Sequence, residues 1–192
     1  MNKEVLGVFA IVLTFAAFIP YIQSILRGQT KPHVFSWLIW GLATVIVFVA
    51  QWVDGAGAGA WSIGVSGVVT LYIAFLGYKR GSDHSITKVD WVFFITAIAS
   101  LPLWFLTRNP LWAVIILTTV DTLGFGPTFR KAYHKPYEEQ LLLYFLMTIR
   151  NLISIAALEH YSWTTVLFPS VVSAACVVFI VMVLMRRRVV SF

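Results

Sequence analysis

The sequence predicts an all-α polytopic membrane protein of seven transmembrane helices, built as two parallel three-helix repeats joined by a linker helix. Three observations carry that prediction. Of 192 residues, 59% are apolar and only 11% charged. Seven apolar stretches of bilayer length follow one another, and the basic residues collect in alternate loops. A mean hydropathy of +0.85 lies outside the range of soluble domains, so a lipid bilayer is the expected partner of most of the surface.

A hydrocarbon core about 30 Å thick takes about 20 helical residues, each advancing about 1.5 Å. The first span is expected at 5–26; Lys3 before it would suit a secretory signal, but the run is long and lacks a small-x-small cleavage site. A polar turn from Arg27 to Pro32 separates it from the second span, 34–53. Asp54 and an external turn over Gly55–Gly59, read as flexible, lead to the third span at 60–78. Lys79-Arg80-Gly81-Ser82-Asp83 then precedes a fourth, 91–107, the linker. Arg108-Asn109-Pro110 opens the way to the fifth, 111–129, and Lys135-Pro136 to the sixth, 141–158; the seventh is expected at 162–185. The chain thus divides into a first bundle (1–80), a linker helix (81–108) and a second bundle (109–192).

Numbering loops alternately by side, one face receives Arg27, Lys31, Lys79, Arg80, Lys88, Arg130, Lys131, Lys135 and Arg186–Arg188, the other only Lys3 and Arg108. The positive-inside rule therefore puts the amino terminus outside and the carboxyl terminus in the cytoplasm, most simply at the cell membrane. Trp52, Trp61, Trp104, Trp112 and Trp163 then lie near the outer surface and Trp37 and Trp91 near the inner one, as interfacial anchors. The net charge of +6 is explained by this orientation rather than by nucleic acid, which is not expected as a partner.

Several chemistries are disfavoured. Every lysine lies at a membrane edge or in a loop, which excludes a retinal Schiff base in the last helix. The four histidines, His33, His84, His134 and His160, fall in loops or at helix ends, so no buried nucleophile–base pair is expected and the chain is not read as an enzyme. No metal-ligand cluster or phosphate loop occurs, and no cofactor is implied. Cys176 is the single cysteine, so no internal disulfide can form.

The repeat is legible in pairs. Pro20 and Pro127 lie 107 positions apart, each followed by a basic turn and a second proline, Pro32 or Pro136. Beyond that turn a shift of 104 brings Trp40 onto Tyr144 and Thr44 onto Thr148, while the third and seventh spans both open with tryptophan and end in basic clusters. Three helices, one linker and three helices give parallel repeats, with a binding site expected between the halves.

The stretch from Ile19-Pro20-Tyr21 through Arg27-Gly28-Gln29-Thr30-Lys31 to Ser36, and the second copy Gly126-Pro127-Thr128-Phe129-Arg130-Lys131, resemble the loop motif of the PQ-loop and SWEET transporter superfamily. Here Pro-Tyr and Pro-Thr stand where that motif has Pro-Gln. The resemblance implies a three-one-three plan, an outside amino terminus and alternating-access transport of a small polar solute such as a sugar, an amino acid or a nucleoside-like vitamin. A non-transporting receptor or assembly partner of the same fold is the alternative, and the plan admits a homo-oligomer.

Ionisable groups at mid-membrane depth each cost about 2.5–3.5 kcal/mol on insertion scales and so point to function. Two are expected, Asp121 and Arg150. Either they face a central cavity and act on a substrate, or they form a permanent ion pair that fixes helix register. Asn151, beside Arg150, can donate and accept. A belt of hydroxyls at matched depth comprises Thr14, Thr44, Thr148, Thr70 and Ser173; each is a solute contact or a bond to its own backbone. Trp40 and Tyr144 form a matched aromatic pair expected to gate the site or to stack on a ring of the solute, unless Trp40 merely packs on Trp37. Pro20 and Pro127 are hinge candidates, since a proline inside a helix removes one hydrogen bond and kinks it.

Overall fold

The computed structural model describes residues 2–81, 86–134, 136–138 and 141–189; Lys135, Ser82, Asp83 and His84, and the side chains of Pro127, Arg130 and Lys131, lie outside that description. All regular structure in it is helical: α1 (Lys3–Leu26), α2 (Val34–Val53), α3 (Ala58–Lys79), α4 (Lys88–Thr107), α5 (Leu111–Gly124), α6 (Gly126–His134), a 3₁₀ turn (Pro136–Glu138), α7 (Leu141–Ala156) and α8 (Trp163–Val189). Five of these, α1, α2, α3, α4 and α8, are long and apolar enough to cross a membrane. The apolar helices α5 and α7 are shorter, at 14 and 16 residues, or about 21 and 24 Å of rise.

Local chemistry sets the ends. Asn2 accepts from the Glu4 backbone N–H at 3.0 Å to open α1. His33 caps α2, and a reciprocal box between Thr87 and Asp90 opens α4. Ser162 and Thr165 exchange side-chain-to-backbone bonds of 2.9 and 3.2 Å at the head of α8. The span expected at 111–129 is interrupted: α5 stops at Gly124, Phe125 is a turn, and α6 begins at Gly126. Pro127 has no N–H for the Leu123 carbonyl, the bond that a continuous helix would require there. Pro20, by contrast, lies within an unbroken α1.

The outward faces are apolar. On α1, Val5, Val8, Phe9, Val12, Phe15 and Ile19 are exposed, spaced three and four apart as one helix face requires. Its opposite stripe, Gly7, Ala10, Thr14 and Ala17, is buried and made of small residues that admit close helix contact. The linker α4 is the most peripheral: it buries only Ala97 and Ser100 and exposes Phe105 and Leu106. In water such a surface would aggregate; it marks an integral membrane protein.

Within the bundle, α3 packs against both α1 and α2, and α8 against both α5 and α7. Across these groups α1 touches α7, α2 touches α5, α3 touches α7 and α2 touches α8, while α4 leans on α5 and α2. The main apolar core joins α2, α5 and α8 through Ala43, Val47, Val114, Leu117, Phe168 and Val172.

The turn at Gly55–Gly57 is packed rather than loose. Gly57 has φ +57°, and a Cβ there would stand 2.1 Å from Glu159 Cδ. Gly59 already belongs to α3, and its Cβ would meet the Ser154 carbonyl at 2.8 Å. The reading of this stretch as a flexible turn is thereby corrected: its glycines let the turn before α3 press against α7 and the turn that follows it.

Candidate functional site

The ionisable residues expected at depth sit inside the bundle. Arg150 on α7 is 3% exposed and Asn151 fully buried, whereas Asp121 on α5 is partly buried. Arg150 lies within electrostatic reach of Asp121 and of Cys176 on α8. Among the described residues no N···O contact of 4.0 Å or less joins Arg150 to Asp121, so the pair is not a closed ion pair. Instead Arg150 Nη1 donates to the Ser62 carbonyl of α3 across 3.4 Å. The Ser62 and Ser154 hydroxyls, 2.6 Å apart, continue the link, and Ser154 Oγ donates to the Arg150 carbonyl at 2.9 Å.

The hydroxyl belt divides in two. Thr14 donates to Ala10 O at 2.9 Å, Thr44 to Trp40 O at 2.8 Å, Thr70 to Ser66 O at 2.8 Å and Thr148 to Tyr144 O at 2.9 Å. Each returns to its own helix, four residues back. Ser173 does not: its buried Oγ has no partner. The same holds for Arg150 Nε, both amide atoms of Asn151, Thr118 Oγ1 and Gln51 Oε1. A buried polar atom without a partner costs about 1–3 kcal/mol. Four of the five residues concerned stand on α5, α7 and α8, so the unmet hydrogen-bonding capacity is concentrated in that group of helices.

Trp40 and Tyr144 converge on the interruption in α5. Trp40 meets Trp37 edge to face at 5.8 Å, and its Nε1 lies 2.6 Å from where a Gly124 Cβ would stand. Tyr144 lies 6.5 Å from Phe125 and 4.2 Å from Phe179. Both aromatics therefore flank Gly124-Phe125, with Trp40 packed on Trp37 as well. Tyr21 stacks on Trp37 at 4.9 Å, extending the aromatic group onto α1.

Sequence reasoning missed a polar seam at the end holding the amino terminus. His160 Nδ1 donates to the Asp54 carbonyl at 2.8 Å, and Ser162 Oγ donates to the Asp54 carboxylate. Glu159 N–H donates to Ala56 O at 3.1 Å, Gln51 Nε2 to Thr165 O at 3.1 Å, and Lys3 Nζ to Leu158 O. The seam thus ties α1 and the α2–α3 turn to the α7–α8 turn. Gln51, Ser62 and Ser154 were visible as polar residues within apolar runs. On the outside of the bundle an apolar groove of about 440 Å³ runs between α5 and α8, lined by Leu111, Ile115, Trp163, Leu167 and Val171. Comparison with protein-family models, curated proteins and solved structures finds no match to this chain.

Proposed function

We propose that the chain is a carrier of a small polar solute, crossing the membrane seven times as α1–α2–α3, linker α4, and α5/α6–α7–α8, with its amino terminus outside. The observation that carries this reading is the packing pattern. Exchanging α1 with α5, α2 with α7 and α3 with α8 maps the substantial packing contacts among these six helices onto one another: α1·α3 onto α5·α8, α2·α3 onto α7·α8, α1·α7 onto α5·α2, and α3·α7 onto α8·α2. A two-fold relation between parallel repeats gives that result, and the linker α4 lies outside it. The third helix of each triplet packs between the other two, and the buried polar group sits where the triplets meet. The short α5 and α7 cross in this reading because α6 extends α5 and flanking turns complete the depth, at a modest cost in bilayer adjustment.

Alternating access follows from two bundles that rock around Arg150, Asn151, Asp121 and Ser173, with Trp40, Tyr144 and the α5 interruption on the basic, cytoplasmic side. Solute counterflow into proteoliposomes is the test. Saturable counterflow that falls at least tenfold in Asp121→Asn supports a carrier with Asp121 in its site. Absence of counterflow across sugars, amino acids and nucleosides would instead favour a receptor or assembly partner that uses the basic face.

A further inference from the structure

We infer that the buried site takes a small solute bearing a carboxylate and, a few bonds away, a hydroxyl or ammonium; this rests on the carrier reading for its location. Arg150 offers five N–H donors in a planar fork, yet one bond, the 3.4 Å contact to Ser62 O, is all the protein supplies to it among the contacts described, and Nε is unmatched. Asp121 is near enough to influence Arg150 electrostatically but does not cover it. Asn151 Nδ2 and Ser173 Oγ add unmatched donors on α7 and α8. A buried guanidinium with open donors calls for an acceptor-rich anion, and a carboxylate matches its fork in two parallel bonds. Asp121, on α5 within electrostatic reach of Arg150, repels a second acid and attracts a donor. A neutral polyol would leave the guanidinium with Asp121 as its one counter-charge among the described residues, and not in direct contact, in a place where that is costly.

Thr14, Thr44 and Thr70, on α1, α2 and α3, are committed to their own backbones. Solute recognition therefore belongs to α5, α7 and α8, and the first triplet contributes the closing wall through Ser62. Asn151 distinguishes recognition from structure. Both its amide atoms are buried and unmatched, so Asn151→Leu, similar in shape, removes a burden on folding while removing a ligand contact.

Thermal unfolding of the purified chain in detergent, with lactate, alanine, glucose or ethanolamine added, tests this without needing transport. Lactate and alanine should raise the midpoint saturably, glucose and ethanolamine should not, and the shift should vanish in Arg150→Lys and in Asn151→Leu. Asn151→Leu should also melt above the parent when no solute is present. No carboxylate-dependent shift in the parent, an equal shift with glucose, or a shift unchanged in both variants overturns the inference. Counterflow of a neutral solute without a carboxylate shift sinks this proposal and leaves the carrier; a carboxylate shift without counterflow does the reverse.

Discussion

At the residue scale, the bundle is decided by where side chains are absent as much as by where they stand. Gly59 allows α3 to touch α7: a methyl there would lie 2.6 Å from Leu158 Cδ2, 2.8 Å from the Ser154 carbonyl and 2.9 Å from Leu158 Cα. Two of those three atoms are backbone, so side-chain rotation cannot relieve the overlap. Gly59→Ala should destabilise the protein by about 1–3 kcal/mol through overpacking, read as a lower unfolding midpoint in detergent. Gly126 is the control, since a Cβ at that position meets nothing within 4 Å and alanine favours helix over glycine by about 1 kcal/mol. Gly126→Ala should melt at or above the parent; equal losses in both variants would refute the packing account. The fate of the threonines was illegible at this scale. Whether Thr44 or Thr148 faces a solute or its own helix is a choice of rotamer, and each bond to the carbonyl four residues back leaves no trace in sequence spacing.

At the element scale, the apolar runs and their punctuation were readable because hydropathy sets spans and capping residues set ends. The described helices begin and stop within a few residues of the expected ones in six of seven cases. The exception is the fifth run, where hydropathy continues but the regular helical ladder is interrupted: α5 ends at Gly124 and α6 opens at Gly126, while Phe125 between them keeps a helical backbone and donates to Thr122 O at 3.1 Å. The two prolines were expected to act as matched hinges; the helices around them differ, because α1 runs unbroken through Pro20. The difference yields a prediction. Pro127→Ala restores a donor for the Leu123 carbonyl and permits one straight helix, which should slow counterflow turnover several-fold if the break works as a hinge. Pro20→Ala should change turnover by less than twofold, and a larger effect at Pro20 would reverse the assignment of the moving element.

At the scale of the molecule, polar contacts between α1–α3 and α5–α8 are unevenly placed. Asp54 with His160 and Ser162, Gln51 with Thr165, Glu159 with Ala56 and Lys3 with Leu158 gather at the end of the amino terminus. Nearer the basic end, Trp40 rests on the Gly124 backbone of α5 and Met147 of α7 packs on the apolar cluster of Phe18, Ile25 and Ile73. Hydrogen bonds need fixed geometry, whereas apolar contacts slide, so the structure is closed at the seam and better able to part at the other end. Sequence could not foretell this, because the partners are more than 100 positions apart: Asp54 and Ser162, for instance, are separated by 108. Cys176 provides the reporter. It is the single thiol of the chain, buried midway along α8 and within electrostatic reach of Arg150. In sealed vesicles holding the chain in its proposed orientation, Asp54→Ala removes the acceptor of Ser162 and loosens the turn that holds His160. A small membrane-impermeant methanethiosulfonate added on the amino-terminal side should then modify Cys176 at least fivefold faster than in the parent. Reagent trapped on the basic side should react more slowly than in the parent, since one population grows at the expense of the other. Faster labelling from both sides would mean general loosening, and unchanged rates on both would mean that the seam does not hold the bundle shut.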